Sequence, residues 1–541
     1  MKTRFFLLTF LFAAVCTLNV VAQSPYEIIP LPKSISIGKG NAFAVSENTV
    51  VSFSSKNNPE DTKRIAGFLT DYINKQTGWN WQVKENCKKE AGDVVLQYDA
   101  AIQNDEGYRL VVNKKNVIIS AKTPNGLFYG VQSLRKIIRD KSVTSLPSVI
   151  INDEPRFEYR GVHLDCARHF FPISFVKKYI DIIALHNCNR FHWHLTDDQG
   201  WRFEVKAYPE LTEKGAWREE TMVGHNFNQF DGKPYGGYYT QEQCREIVRY
   251  AAERFIEVIP EVDMPGHMQG ALAAYPQLGC TGGPYKVWTQ WGVSEDVLCA
   301  GNPKTIEFLH GVLDELTDVF PSEYIHLGGD ECPKTRWAIC PKCQTKIKEL
   351  DFFTFKGISA ENQLQSYLLA DAEKYLANKG RKIIGWDEVL DGFVGPNTTI
   401  MSWRGIEGGS KAAKLHRNVI MTPTSNCYLN FYQSEDRDSE PISFDAFLPI
   451  YQVYSLEPVP EGLTEEEASY IKGCQANLWS EYITTGKQAE HMLLPRLAAI
   501  CESQWMQPEA KNYDDFLNRL PALMNLYDNL KLDHGQVEKQ K

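Results

Sequence analysis

Short apolar runs bounded by charged, aromatic or small polar residues recur along the chain, and in its second part they alternate with stretches of helical periodicity. Up to about Asn152 the runs are brief and β-like: Thr49 to Phe53, Asp93 to Gln97, Tyr108 to Val112 and Asn116 to Ala121. Between them Asp61 to Gln76 reads as a helix, and so does Thr123 to Asp140, where Leu127, Val131, Leu134 and Ile138 share one face. These elements predict a small α+β domain over residues 23–153, of ordinary domain size. The turn Ile151-Asn152-Asp153-Glu154-Pro155 is its natural boundary.

Beyond that turn the runs recur more regularly. Gly161 to Ala167, Arg190 to Asp197, Ile256 to Asp263, Tyr324 to Asp330, Lys382 to Asp387, Thr399 to Arg404, Val419 to Thr424 and Ile471 to Trp479 form eight candidate strands. Helical stretches separate most of them, among them Ser174 to Leu185, Thr240 to Arg254, Asn302 to Asp318 and Ser359 to Lys379. This alternation over residues 154–508 predicts an α/β fold, a (β/α)8 TIM barrel with long loop insertions. Chemistry in such a barrel sits at the C-terminal strand ends. Several runs do end in charged, aromatic or small polar residues. Residues 509–541 read as a terminal amphipathic helix, Tyr513 to Leu532, and a charged tail.

Composition narrows the partners. A chain of 541 residues that is 43% hydrophobic can bury a large core. A net charge of −10 without any long Lys/Arg run argues against duplex nucleic acid and anionic membranes as partners. Residues 1–22 carry Lys2 and Arg4, an apolar run from Phe5 to Val15 and small or modest side chains up to Ala22, the pattern of an export signal. Thr17 and Asn19 interrupt the run before it could span a bilayer. The expected location is therefore periplasmic, cell-surface or secreted. Lipid anchoring through Cys16 has weak support, because Val15 is bulkier than the small residue such processing prefers.

Twelve of the thirteen cysteines follow this leader, so disulfides are permitted. Cys280 and Cys299 flank a Gly- and Trp-rich loop and are candidates for a bridge, while Cys332, Cys340 and Cys343 cluster further on. Cys340-Pro341-Lys342-Cys343 has the spacing of half a zinc ribbon. No second closely spaced pair follows. A local disulfide or free buried thiols are expected there, and no metal or cofactor is implied.

The candidate chemistry centres on His326-Leu327-Gly328-Gly329-Asp330-Glu331. Side chains alternate along a strand, so Asp330 and Glu331 can serve one site only if the backbone bends, which Gly328 and Gly329 permit. Two close carboxylates disfavour each other's ionisation, which tends to hold one protonated as a general acid. That chemistry suits glycoside hydrolysis. The alternative is a helix N-terminus, with the acids in the first turn. Other strand ends supply Asp165, Arg168 and His169, then His192 to Asp198, then Met264-Pro265-Gly266-His267. His192 and His194 on one strand face invite a metal, but a metal site needs three or more convergent ligands and no carboxylate repeats that spacing, so barrel-interior histidines bonded to neighbours are expected instead. Trp386, Trp403 and Trp479 each lie beside a charged residue at a later strand end and suggest an aromatic-walled pocket. Tyr428 and Glu481 are its candidate polar groups.

With these motifs the chain resembles the family 20 glycoside hydrolases, the β-N-acetylhexosaminidases. The matching stretches are 326–331, Leu164 to His169, His192 to Asp198, Met264 to His267, Gly385 to Glu388, Ser402 to Gly405 and Asn477 to Glu481, which together span the barrel. Pro124 to Gly130 also looks like part of that family's N-terminal domain. The resemblance implies an exo-acting, retaining mechanism in which the substrate's acetamido oxygen attacks its own C1. It implies Glu331 as acid and base, Asp330 as the carboxylate that holds the acetamido N–H, and Tyr428 as donor to the acetamido oxygen. Trp386, Trp403 and Trp479 would enclose the methyl group. Asp197 and His267 would tune Glu331, and Arg168 and Glu481 would bind ring hydroxyls. Asn430 stands where many relatives carry aspartate, so a 6-sulfated sugar is expected to be tolerated. The partner implied is an oligosaccharide or glycoconjugate. Alternatives are a disaccharide-releasing member, similar to lacto-N-biosidases, and a catalytically silent glycan-binding protein on the same barrel.

Overall fold

The computed structural model describes residues 26–54, 57–85 and 90–537. The leader read in residues 1–22, and Cys16 within it, lie outside the described residues. Among the described residues no helix is long and apolar enough to cross a membrane.

The N-terminal part is one mixed seven-stranded sheet. Helices Pro59–Thr77 and Pro124–Ile137 pack on it, and Leu127, Val131, Leu134 and Ile138 are all fully buried, as their shared face requires. The sheet is fastened to the next domain by charge as well as by packing. Arg160 on the first barrel strand makes paired hydrogen bonds to Glu106 at 2.7 and 2.9 Å, and Trp505 Nε1 donates to Asp153 at 2.8 Å. The mating surface is therefore specified and not merely greasy.

The second domain is a closed parallel barrel of eight strands in sequence order. They are Tyr159–Asp165, Arg190–His194, Glu257–Glu261, Tyr324–His326, Lys382–Trp386, Thr398–Ser402, Val419–Met421 and Ile471–Ala476. Each expected run contains one of these strands, give or take a residue or two at its start; Asp165, His194, Glu261, His326 and Trp386 close their strands, and Arg168, His267, Asp330, Glu331, Trp403 and Trp479 fall in the loops beyond. That is where a barrel places chemistry. The helical layer is uneven. Between Lys382–Trp386 and Thr398–Ser402 there is only the 3-10 turn Asp387–Asp391, whereas the loops after the second, third and fourth strands carry long insertions. The last helix among the described residues is Tyr513–Leu530, capped at Asn512, whose side chain accepts from Asp515 N–H.

Candidate active site

After His326 the strand stops, and the backbone turns left-handed at Gly328 (φ 63°), Gly329 (φ 89°) and Glu331 (φ 41°). A Cβ at Gly328 would lie 1.7 Å from Asp263 Oδ1, and one at Gly329 would lie 2.7 Å from Val389 Cγ1. Both positions need glycine for space as well as for φ. Asp263 Oδ1 accepts the Gly329 N–H at 3.0 Å, and Gln365 donates to the Gly329 carbonyl at 2.8 Å, so the turn is held from two sides. The helix N-terminus alternative is not adopted, since the next helix begins at Thr335. A side-chain-bearing residue in this backbone region costs about 1–3 kcal/mol, and such strain collects at functional sites. Glu331 shares it with His267, whose φ is 50°.

His267 is the electrostatic hub. Its Nδ1 faces Asp197 Oδ1 at 3.1 Å and Asp198 Oδ2 at 3.2 Å, and its Nε2 faces Glu331 Oε2 at 3.4 Å and Asp330 Oδ2 at 3.8 Å. Burial alone would discharge the imidazole, but Asp197, Asp198 and Glu331 hold its pKa well above the ordinary value. His267, with Nε2 3.4 Å from Glu331 Oε2, in turn holds Glu331 below the usual carboxylate range, against partial burial. Asp330 goes the other way. It is buried, its Oδ1 has no partner, and desolvation together with the charges of Asp263 and Glu261 pushes its pKa well up, against the pull of His267. Proximity alone left open which carboxylate is the more basic; the opposite directions of the two shifts make it Asp330.

Asp330 and Glu331 open onto a cavity of about 320 Å³. Arg168, Trp403, Tyr428, Asn430, Trp479 and Glu481 line it with them, so eight of the eleven residues expected from sequence converge on one space. Asp197, His267 and Trp386 stand behind its wall. Arg168 reaches Asp197 at 2.9 Å, and its guanidinium lies 5.1 Å from the Trp479 ring centroid. Trp403 and Tyr428 stack with centroids 6.1 Å apart, and Glu388 accepts the Trp403 Nε1–H at 2.8 Å. Burial keeps Tyr428 a protonated hydroxyl, with its pKa well above the ordinary value. Burial also pushes Glu481 up to about 7 although Arg168 opposes it. Trp291, Val293, Phe431 and Phe444 line the cavity too and were not singled out from sequence. They come from inserted loops, whose approach to the mouth no local periodicity reveals.

The uncommitted polar atoms tell what the cavity can hold. Asp330 Oδ1, Glu481 Oε2 and both amide atoms of Asn430 are buried without hydrogen-bond partners. A buried orphan costs about 1–3 kcal/mol, so several around one aromatic-lined space call for a ligand rich in hydroxyl and amide groups.

Beneath this layer Glu261 binds three ring nitrogens and one indole. His192 and His326 approach it at 3.0 Å, His194 is closer still, and Trp386 Nε1 donates at 2.9 Å. Burial alone would protonate Glu261, but the surrounding histidines hold it ionised. Trp386 is 1% exposed and packs on Trp479 at 5.8 Å, so it underlies the cavity rather than lining it. The expected Cys280–Cys299 bridge is not formed; both thiols are free and stand in a group with Cys340 and Cys343.

The sequence is similar along its length to known proteins. It matches "Glycosyl hydrolase family 20, catalytic domain" over residues 157–508 and "Glycosyl hydrolase family 20, domain 2" over residues 25–154. A β-hexosaminidase of Porphyromonas gingivalis is 42% identical over 91% of this chain, which spans only 62% of that relative's length. A β-N-acetylhexosaminidase of Cellulomonas fimi is 30% identical, with 93% of this chain and 94% of that one aligned. Among solved structures, a mutant Streptomyces plicatus β-hexosaminidase in complex with product GlcNAc superimposes with a TM-score of 0.80 at 28% identity, covering 94% of this chain and 96% of that one.

Proposed function

The chain belongs to glycosyl hydrolase family 20, and from that premise we propose that it is an exo-acting β-N-acetylhexosaminidase that removes a terminal N-acetylglucosamine or N-acetylgalactosamine from glycans with retention of configuration. The observation that carries the reading is the cavity of about 320 Å³ that Asp330 and Glu331 line together with Tyr428, Trp403 and Trp479. Its size suits one sugar ring and lies at the small end of ligand sites.

In the first half-reaction the acetamido oxygen forms a bond to C1 while the C1–O bond to the leaving group breaks, and Glu331 gives its proton to the departing oxygen. In the second, water attacks C1, Glu331 takes the water's proton, and the oxazolinium ring opens to restore the acetamide. Asp330 accepts the acetamido N–H and offsets the positive charge of the ring. Tyr428 donates to the acetamido oxygen, and the indoles of Trp403 and Trp479, underlain by Trp386, confine the methyl group and so hold the attacking oxygen in line. Arg168 and Glu481 hold the far hydroxyls.

The proton must move on binding. Burial makes Asp330, whose Oδ1 lacks a partner, the more basic of the two in the free protein. An acetamido N–H satisfies Asp330 as a carboxylate, while the leaving sugar covers Glu331 and raises its affinity for the proton. His267, facing both carboxylates through Nε2, is placed to equalise them. Asn430 at the cavity wall offers amide donors where a carboxylate would repel a 6-sulfate, and so supports tolerance of sulfated sugar. Export, read from residues 1–22, would bring the protein to extracellular or periplasmic glycans.

Incubation with a panel of natural and aryl glycosides tests the assignment. Release of free N-acetylhexosamine from the non-reducing end is expected. Release of disaccharides only, or sugar binding without turnover, would overturn it.

A further inference from the structure

We propose that Cys280, Cys299, Cys340 and Cys343 form a structural zinc site that fastens one wall of the active-site cavity to the segment following Glu331. The four sulfurs lie within 4.8 Å of one another, with 3.8 Å between Cys280 and Cys343, 3.8 Å between Cys299 and Cys340, and 3.7 Å between Cys299 and Cys343. Tetrahedral zinc with Zn–S bonds of about 2.3 Å separates its ligands by about 3.8 Å. A disulfide would need about 2.05 Å, and Cys299 and Cys343 each have two sulfur neighbours at the longer distance.

The ligands come as two pairs, which explains why sequence spacing disclosed only one. Cys340 precedes and Cys343 occupies the first turn of helix Pro341–Glu349, giving the close C-x-x-C half. The other half is made by tertiary closure. Gly279 bridges Leu298 in antiparallel fashion, and Cys299 N–H donates to the Leu278 carbonyl at 2.7 Å, so Cys280 and Cys299 meet at the neck of the loop between them. The halves are pressed together at Gly301, where a Cβ would fall 2.2 Å from the Lys342 carbonyl. Cys299, Cys340 and Cys343 are buried and Cys280 is half-buried, so the site is closed, as structural zinc requires.

The surroundings call for a staple. These thiols belong to a small satellite core with Val297, Trp337 and Leu364, separate from the main core. The loop between Cys280 and Cys299 carries Trp291 and Val293 to the cavity, and its Ser294 N–H reaches Asp198, which also faces His267. Trp337, between Glu331 and Cys340, donates to the Leu298 carbonyl at 2.9 Å. Zinc at the four sulfurs locks these contacts and thereby holds the cavity wall against the acid-bearing turn.

Elemental analysis of the full chain, purified without chelators, is expected to find about one zinc per chain. A mercurial that captures thiolates should release it, and zinc-edge X-ray absorption should report four sulfurs at about 2.3 Å. Cys340→Ser/Cys343→Ser should lose the zinc. Should that variant not fold, Cys280→Ser, at the most exposed ligand, should retain zinc with three sulfurs and one lighter atom in the same spectrum. The proposal is overturned by a metal-free chain lighter by four hydrogens, which means two disulfides, by a metal-free chain whose four thiols react freely, or by iron in place of zinc.

Discussion

Asp330→Asn probes the carboxylate pair from three sides. The side chain keeps its size and one acceptor oxygen but loses the charge set against the oxazolinium. A unit charge about 4 Å from another at an effective dielectric of about 20 is worth about 4 kcal/mol. The retained acceptor returns about 1 kcal/mol of this, so kcat should fall about 10²–10³-fold. The pH profile is more telling. The free protein needs one proton on the pair, and Asp330 retains it because burial raises its pKa. Removing Asp330 leaves Glu331, which His267 holds low, as the only carrier. The alkaline limb of kcat/KM should therefore move to lower pH. Stability should change in the opposite sense to activity. A carboxyl raised on folding loses stability as pH climbs from its unfolded pKa, about 3.9, through its folded value. Asn escapes that loss, so the variant should melt higher than wild type at neutral pH, with the gap closing toward pH 4. Kinetics on an aryl N-acetylglucosaminide from pH 4 to 9, with melting curves in the same buffers, measure all three. An unmoved alkaline limb together with an unchanged melting temperature at neutral pH would refute the assignment of the proton to Asp330.

Glu331→Gln should lower kcat by about 10²–10⁴-fold on natural glycans and much less on aryl glycosides whose leaving group needs no proton, which steady-state rates on both substrate types will report. Asn430→Asp should lower the ratio of kcat/KM for 6-sulfated over plain N-acetylglucosaminide; equal ratios in both proteins would remove the sulfate reading. Gly328→Ala must place a methyl 1.7 Å from Asp263 Oδ1 at φ 63°, so soluble yield and melting temperature should both drop even though no catalytic group is changed.

The barrel was legible because its strands are buried runs that stand out from helical periodicity, and because Asp165 closes its strand while His267, Asp330 and Trp403 lie within six residues after theirs. Gly328 and Gly329 announced the turn, since a bend there is what lets adjacent acids share one site. What stayed hidden depends on tertiary closure. Trp291 and Phe444 reach the cavity from insertions, and Trp386 differs from Trp403 and Trp479 only in facing inward to Glu261. The missing helix after Trp386 leaves no mark in a pattern of alternation. Nor could spacing disclose that Cys280 and Cys299 meet Cys340 and Cys343, because one pair is made by a loop closing on itself. Which carboxylate keeps the proton depends on the ring of charges around His267, and that is a property of the folded site.

The proposed mechanism makes the substrate's own acetamido oxygen the nucleophile. Aryl 2-acetamido-2-deoxyglucosides carrying successively more fluorine on the acetyl methyl test it, because fluorine drains electron density from that oxygen and leaves the glycosidic bond alone. The account predicts that kcat/KM falls with each fluorine, on the order of tenfold or 1.4 kcal/mol per step. Rates indifferent to fluorine, with a sugar ester trapped on Asp330, would contradict it.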